Sequence, residues 1–176
     1  IISLLGRFQA QLNGQLLTRF ESDNARALLA YLAVEAQQAH RRNYLAALFW
    51  PEHDEKAARN NLRQTLFKLR RLLNDDGRST PFLIVTAQTI QFNLAAACEV
   101  DVVTVRQQLA TQQAAAWETA VAHYTAPLLS QAALVTSAPF EEWLLLAREQ
   151  LHQQVMTACD ALLATAQQAA DWAQIV

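Results

Sequence analysis

Residues 56–73 read KAARNNLRQTLFKLRRLL, and this stretch decides the fold. Its apolar residues recur every three or four positions, which is the spacing of an amphipathic α-helix. One side of that helix carries Ala58, Leu62, Leu66, Leu69 and Leu73. The spacing predicts a helix over residues 55–73, and the turn-forming sequence NDDG at residues 74–77 ends it.

The opposite side of this helix carries residue types that read DNA base edges. An Arg side chain can donate two hydrogen bonds to guanine, Asn and Gln can bond adenine, and an aromatic ring can touch the thymine methyl. We therefore predict four base-contacting residues: Asn60, Arg63, Gln64 and Phe67. For Phe67, packing against a hairpin or against the next domain is at least as good an interpretation.

The charge along the same segment favours a polyanionic partner. Six Lys and Arg lie between Lys56 and Arg71, with no Asp or Glu among them. A helix face that is merely solvated mixes both signs for i,i+4 pairing. The predicted phosphate contacts are Arg41, Arg42, Arg59, Lys68, Arg70 and Arg71. Arg70 borders the leucine side, so an ion pair with an acid of the C-terminal half is the alternative for it.

The flanking elements complete the plan of a DNA-binding domain. Asn-Gly at residues 13–14 predicts a turn between short N-terminal strands, and apolar spacing predicts helices over residues 23–36 and 42–49. After the third helix, the β-rich runs 82–85 and 89–92 predict a hairpin around Thr86, Ala87 and Gln88. Three helices followed by a hairpin form a winged helix-turn-helix, whose third helix enters the major groove.

The C-terminal half has no strand pattern and predicts helices alone. We expect helices over residues 102–109, 114–124 and 139–164, the last split or bent near its middle, and a final helix from about residue 171. Small residues at Ala158, Ala161 and Thr165 suit close helix pairs of the tetratricopeptide kind. Trp143 lies among inward-spaced apolar residues and is predicted to pack in the core.

Together these patterns predict a mostly α fold with a small amount of β structure. Residues 1–97 are expected to form the winged helix-turn-helix domain, and residues 98–176 an all-α, tetratricopeptide-like interaction domain. Twelve Lys and Arg against eight Asp and Glu give residues 1–97 a net charge of +4, and two against eight give residues 98–176 a net charge of −6. DNA binding depends on the local cluster of Lys and Arg side chains rather than on the overall charge of −2.

Other functional classes find little support in the sequence. The four His are scattered, without a Gly-rich phosphate loop or a Ser, His and Asp arrangement, so we expect no enzyme activity, cofactor or metal. Polar residues interrupt the uncharged stretches, so we expect no membrane helix.

Cys98 and Cys159 lack metal-ligand spacing and are predicted to be buried, reduced thiols of a cytoplasmic protein. The chain lacks an initiator Met and stops within a helical pattern, so a piece of a larger protein is expected.

Several motifs resemble a known family. They are LLAYLA at residues 28–33, LAALFWP at residues 45–51, ARNNLRQTL at residues 58–66 and LRRLL at residues 69–73. In these the chain is similar to the DNA-binding domain of bacterial antibiotic-regulatory (SARP-type) activators. Tyr124, PLL at residues 127–129, EEW at residues 141–143 and Arg148 resemble the bacterial transcriptional activation domain that follows in that family.

The resemblance covers nearly the whole chain and implies an OmpR-type winged helix followed by a tetratricopeptide-like activation domain. Such proteins bind direct repeats in promoters and recruit RNA polymerase, and a dimer on those repeats is expected. Two features depart from the family: Ala126 replaces a usual Gly, and the hairpin tip is neutral rather than basic. The alternative function is a helical protein-interaction module of a larger signalling ATPase-type regulator, in which the winged domain does not bind DNA.

Overall fold

The structure is a computed structural model that describes residues 1–130, 134 and 137–175, with side chains described as far as residue 168. Over this part the chain is mostly helical, with small antiparallel sheets. The helices are α1 Asp23–Val34, α2 Arg42–Phe49, α3 Glu55–Leu72, α4 Asp101–Ala110, α5 Ala114–His123 and α6 Ala138–Ile175. The strands are β1 Ile2–Ser3, β2 Gln9–Leu12, β3 Gln15–Leu16, β4 His40–Arg41, β5 Leu83–Val85 and β6 Thr89–Phe92.

The N-terminal sheet has the strand order β1-β2-β3 and is antiparallel throughout. The predicted turn lies between β2 and β3, where Asn13 and Gly14 have φ angles of 52° and 77°. Both angles lie in the left-handed region, which Asn and Gly adopt at least cost. Ala10 of β2 pairs with Ile2 of β1, and both side chains are buried beneath the sheet.

The second sheet contains the predicted hairpin and a strand that the sequence did not indicate. Its order is β4-β6-β5, so β6 is the central strand. Ile90 of β6 pairs with Val85 of β5 on one side and with His40 of β4 on the other. β4 directly precedes α2, and the hairpin is thereby tied to the start of that helix.

Helix α1 lies at the centre of the core of the N-terminal half. Ser22 caps it by accepting a hydrogen bond from the Ala25 amide at 3.2 Å. Leu28, Leu29 and Leu32 are completely buried, because neighbouring elements cover the helix on more than one side. The helix ends at Val34 rather than near residue 36, a difference within the usual fraying of helix ends.

The prediction for the C-terminal helices was wrong in one respect. Helix α6 runs without interruption from Ala138 to Ile175, so it is neither split near its middle nor followed by a separate helix from residue 171. Residues 140–175 contain neither Gly nor Pro, the residues that most often kink or end a helix, which accounts for the continuity. Of the three small residues, Ala158 is buried, Ala161 half-buried and Thr165 exposed.

The two halves of the chain pack on each other through polar and apolar contacts. The Asp101 carboxylate at the start of α4 accepts hydrogen bonds from the amides of Leu4 and Leu5 at 2.8–2.9 Å. Arg106 of α4 donates to the Val34 carbonyl at the end of α1 at 2.8 Å. One continuous cluster of buried apolar side chains extends from the N-terminal strands through α1 and α3 to α6.

The cysteine prediction needs correction in its burial. Cys98 and Cys159 are both free thiols, but each is half-buried rather than buried. Cys98 lies in the segment that enters α4, and Cys159 lies in the later turns of α6. Partial burial raises the pKa of the Cys98 thiol, because the thiolate loses hydration there.

Candidate nucleic-acid interface

Helix α3 is held in place by caps at both ends and by a leucine stripe. The Asp54 carboxylate accepts a hydrogen bond from the Ala57 amide at 2.9 Å and caps the N-terminus. Glu55 lies in the first turn and Arg70 and Arg71 in the last, which complements the helix dipole. The predicted inner residues Ala58, Leu62, Leu66, Leu69 and Leu73 are all buried.

All four predicted base-contacting residues lie on the exposed side of α3: Asn60, Arg63, Gln64 and Phe67. The structure joins two of them, since the Arg63 Nη2 atom donates to Asn60 Oδ1 at 2.9 Å. This bond uses one of the five Arg63 donors and leaves the rest available. The bond to Asn60 therefore orients Arg63 along the helix surface.

Phe67 lies in the open rather than in a core. Its side chain is 58% exposed, so packing against the hairpin or the C-terminal half is the wrong interpretation. The Arg71 guanidinium lies 5.7 Å from the centre of the Phe67 ring, within the range of a cation–π contact. The two side chains together form a basic and aromatic patch in the last turns of α3.

Two of the predicted phosphate-contacting residues have acidic neighbours on the surface. Lys68 forms an ion pair with Glu21, which precedes α1, and Arg59 lies 3.5 Å from Glu55. All four side chains are about half exposed or more. Exposed ion pairs contribute about 0–1 kcal/mol to stability, so a phosphate group can displace these acids at little cost.

Arg70 is bound more tightly, and its partners are in the same half of the chain. Its Nη2 atom lies 2.8 Å from Asp76, and its Nε atom lies 3.8 Å from the buried Asp75 carboxylate. The suggested pairing with an acid of the C-terminal half is therefore wrong. Arg70 is half-buried, so its guanidinium is less accessible to a phosphate than the exposed cations of Arg59, Lys68 and Arg71.

Arg41 and Arg42 lie beside the hairpin. Arg41 belongs to β4, pairs with Thr89 of β6 and has an exposed side chain. Arg42 donates from its backbone amide to the Gln88 carbonyl at 2.9 Å and from Nη1 to the Thr86 carbonyl at 3.1 Å. Arg42 therefore fixes the neutral hairpin tip relative to α2, in addition to any contact with a ligand.

A further basic residue, Arg19, lies near α3 without any local sequence pattern that predicts it. Arg19, in the segment before α1, lines an open cleft of about 400 Å³ together with Lys68 and Arg71. Glu21 lines the same cleft and is the acid that pairs with Lys68. Arg19 lies 49 positions before Lys68 in the sequence, so no local pattern could have brought them together.

Asp75 is a second residue whose role the local sequence does not predict. It belongs to the predicted turn NDDG, yet its carboxylate is completely buried. Oδ1 accepts a hydrogen bond from the Phe82 amide at 2.5 Å, and Oδ2 accepts one from the Leu83 amide at 3.2 Å. This one side chain joins the end of α3 to the first strand of the hairpin, and so sets their relative position.

Trp143 lies at the junction between the halves. Its ring centre is 4.7 Å from that of Tyr31 in α1 and 5.3 Å from that of Phe140. The Trp143 Nε1 atom donates to Glu35 Oε1 at 3.1 Å. The side chain is half-buried. Trp143 therefore packs between α1 and α6, rather than in the interior of the C-terminal half as predicted.

Two further observations concern the part of the chain that the structure describes. It contains no group of three or more His, Cys, Asp and Glu side chains arranged to bind a metal ion. None of its helices has the length and apolar character needed to cross a membrane.

The fold is similar to that of Mycobacterium tuberculosis EmbR, solved in complex with a low-affinity phosphopeptide. The TM-score is 0.67 at 19% sequence identity, over 98% of this chain and 48% of that chain. This chain thus spans about half the length of that EmbR chain. No protein-family model and no curated protein sequence matches the present chain. At this level of identity the comparison shows the fold alone.

Proposed function

We propose that the chain is a sequence-specific, DNA-binding transcriptional regulator of the SARP type. The observation that carries the proposal is the exposed side of α3. Asn60, Arg63, Gln64 and Phe67 are all accessible there, and α3 contains no acid after Glu55. Side chains with paired donors and acceptors on a basic helix are suited to base edges in a major groove.

In this proposal residues 1–97 are an OmpR-type winged helix-turn-helix domain. Helix α3 enters the major groove, and the hairpin of β5 and β6 lies over the adjacent backbone. Arg41, Arg59, Lys68 and Arg71, with the newly identified Arg19, contact phosphates. Arg42 and Arg70 contribute chiefly by holding the hairpin and the end of α3 in position, because both are engaged with protein groups.

Residues 98–176 are proposed to be the tetratricopeptide-like activation domain of the same regulator. Their net charge of −6 is unsuited to DNA and suited to a protein partner. By the SARP resemblance that partner is RNA polymerase, the DNA sites are direct repeats occupied by a dimer, and the protein acts in the cytoplasm.

A salt-dependent DNA titration of the whole chain tests the proposal. We expect selection from a random double-stranded library to return a defined motif. Binding to that motif should weaken as salt rises, with a slope set by the number of phosphates neutralised. Equal affinity for the motif and for scrambled DNA at every salt concentration would remove sequence-specific recognition from the account.

The second candidate is a protein-interaction module that does not bind DNA. Leu145 and Leu146 favour it, since they are 65% and 56% exposed on α6 in the acidic half, near Glu142 and Glu149. Exposed apolar side chains beside charged ones are typical of protein contact surfaces. The same titration separates the two functions, because this module has no affinity for double-stranded DNA at physiological salt.

A further inference from the structure

A partly open pocket lies beneath the N-terminal sheet, away from the exposed side of α3. Its volume is about 170 Å³, and its walls are mostly apolar. They include Ile2 and Ala10 of the N-terminal sheet, Leu29 of α1, and Phe92 of the hairpin. An apolar group that enters this pocket is removed from water, so a ligand bound there stabilises the folded protein.

Two cations lie at the boundary of this apolar space, Arg78 and the Ile1 amino group, which donates a hydrogen bond to the Gln11 carbonyl at 3.1 Å. Arg78 lines the cavity, and its guanidinium is 4.4 Å from the centre of the Phe82 ring, which is also part of the wall. Arg78 forms no ion pair with the acids that the structure describes, unlike Arg70 nearby in the sequence. A carboxylate is the natural partner for such a guanidinium, because two N–H donors can bind its two oxygens.

We propose that this cavity binds a small apolar monocarboxylate, with its hydrocarbon part inside and its carboxylate on Arg78. The volume sets the size of the occupant, since an apolar cavity of roughly 150 Å³ accommodates one benzene ring. The ligand is therefore a single aromatic ring or an equivalent short chain that carries one acid group.

The position of the cavity gives its occupant a route to the DNA-binding elements. Leu73, directly after α3, lines the cavity together with Phe82 and Phe92, which belong to or flank the hairpin strands. A ligand there contacts both elements whose relative position Asp75 sets. A change in DNA affinity on ligand binding follows from this placement and rests on the proposed function, whereas the binding site itself does not.

The test uses benzoate as the probe and the whole chain as the protein. Titration followed by methyl and aromatic NMR should show saturable shifts at Leu29, Phe82 and Phe92. Benzamide, which has the same shape without the charge, should bind at least about tenfold more weakly, as expected for the loss of a charge-assisted contact. No shift at these wall residues, or equal binding of benzoate and benzamide, would overturn the proposal.

Two variants separate the carboxylate contact from general charge effects. Arg78→Gln should weaken benzoate binding by about tenfold and leave benzamide unchanged. Arg7→Gln is the matched control, because Arg7 is also an exposed arginine of the N-terminal half but does not line the cavity. An equal loss in both variants contradicts recognition by Arg78. Since Arg78 is exposed, its variant is expected to fold normally.

Cys98 supplies an independent reporter, because it lines the same cavity. In a Cys159→Ser background, benzoate should slow the reaction of Cys98 with a thiol reagent, and Arg78→Gln should remove that protection. An unchanged reaction rate at saturating benzoate counts against occupancy.

A DNA titration with and without benzoate then tests the coupling. A changed affinity for DNA in the presence of benzoate supports the coupling. An unchanged affinity for DNA, in a protein that binds both DNA and benzoate, refutes the coupling. Benzoate binding without any DNA binding leaves the site standing and removes the proposed function instead.

Discussion

The Asp75 carboxylate accepts a hydrogen bond from the Phe82 amide at 2.5 Å, and this contact joins the end of α3 to the hairpin. A second amide, that of Leu83, binds the other carboxylate oxygen. The carboxylate has no exposure to solvent, so no water can replace it as the acceptor for these two donors. The relative position of the two DNA-binding elements proposed above therefore depends on one side chain in a short turn.

Replacing this carboxylate should destabilise the N-terminal half. We expect Asp75→Ala to lower the free energy of unfolding by about 3 kcal/mol, because two buried amide donors lose their acceptor. Asp76→Ala is the control, since Asp76 is exposed and pairs only with Arg70 at the surface. Its effect should stay within about 1 kcal/mol. Urea unfolding of both variants measures the difference, and equal stabilities would show that Asp75 has no special structural role.

Trp143 should stabilise the contact between the two halves. Trp143→Ala is expected to cost about 3 kcal/mol, the lower part of the range for large aromatic truncations, because the side chain is half-buried. Trp143→Phe keeps the ring contact with Tyr31 and loses only the hydrogen bond to Glu35, so about 1 kcal/mol is expected. Thermal unfolding checks both values, and a Trp143→Ala protein as stable as the parent would remove Trp143 from the junction.

Glu21 should oppose DNA binding. Its carboxylate pairs with Lys68 and must be displaced before Lys68 can contact a phosphate. Glu21→Gln is therefore expected to tighten DNA binding by about two- to fivefold, the equivalent of one exposed ion pair. Glu99→Gln is the matched control, because Glu99 is an exposed acid outside this cleft. Weaker binding by the Glu21 variant would contradict this role.

Arg70 and Arg71 are neighbours with different expected roles. Arg71 has no ion pair with a described acid, so Arg71→Gln should reduce the salt slope of DNA binding by about one. Arg70 is engaged with Asp76, so Arg70→Gln should leave that slope nearly unchanged. Anisotropy titrations over a range of salt concentrations give both slopes. A larger change for Arg70 than for Arg71 would reverse the assignment.

The parts of this structure that sequence could predict are the ones with local patterns. Helix α3 was placed within one residue because a long leucine stripe and a turn bound it. Strand β4 was missed because two residues carry no periodicity, and the partner of His40 is Ile90, far along the chain. The same reason explains the pairing of Lys68 with Glu21 and the placement of Arg19, since contacts between distant segments leave no local trace.

We propose that Arg63, on the exposed side of α3, contacts a DNA base. The most direct measurement is the affinity of Arg63→Ala for the selected motif and for motifs with single base changes, beside Arg7→Ala as a control for the lost charge. We expect Arg63→Ala to lose about 1 to 3 kcal/mol on the motif and to stop discriminating at one base pair, whereas Arg7→Ala keeps the full preference. A folded Arg63→Ala protein with the parent's affinity and preference would contradict the account.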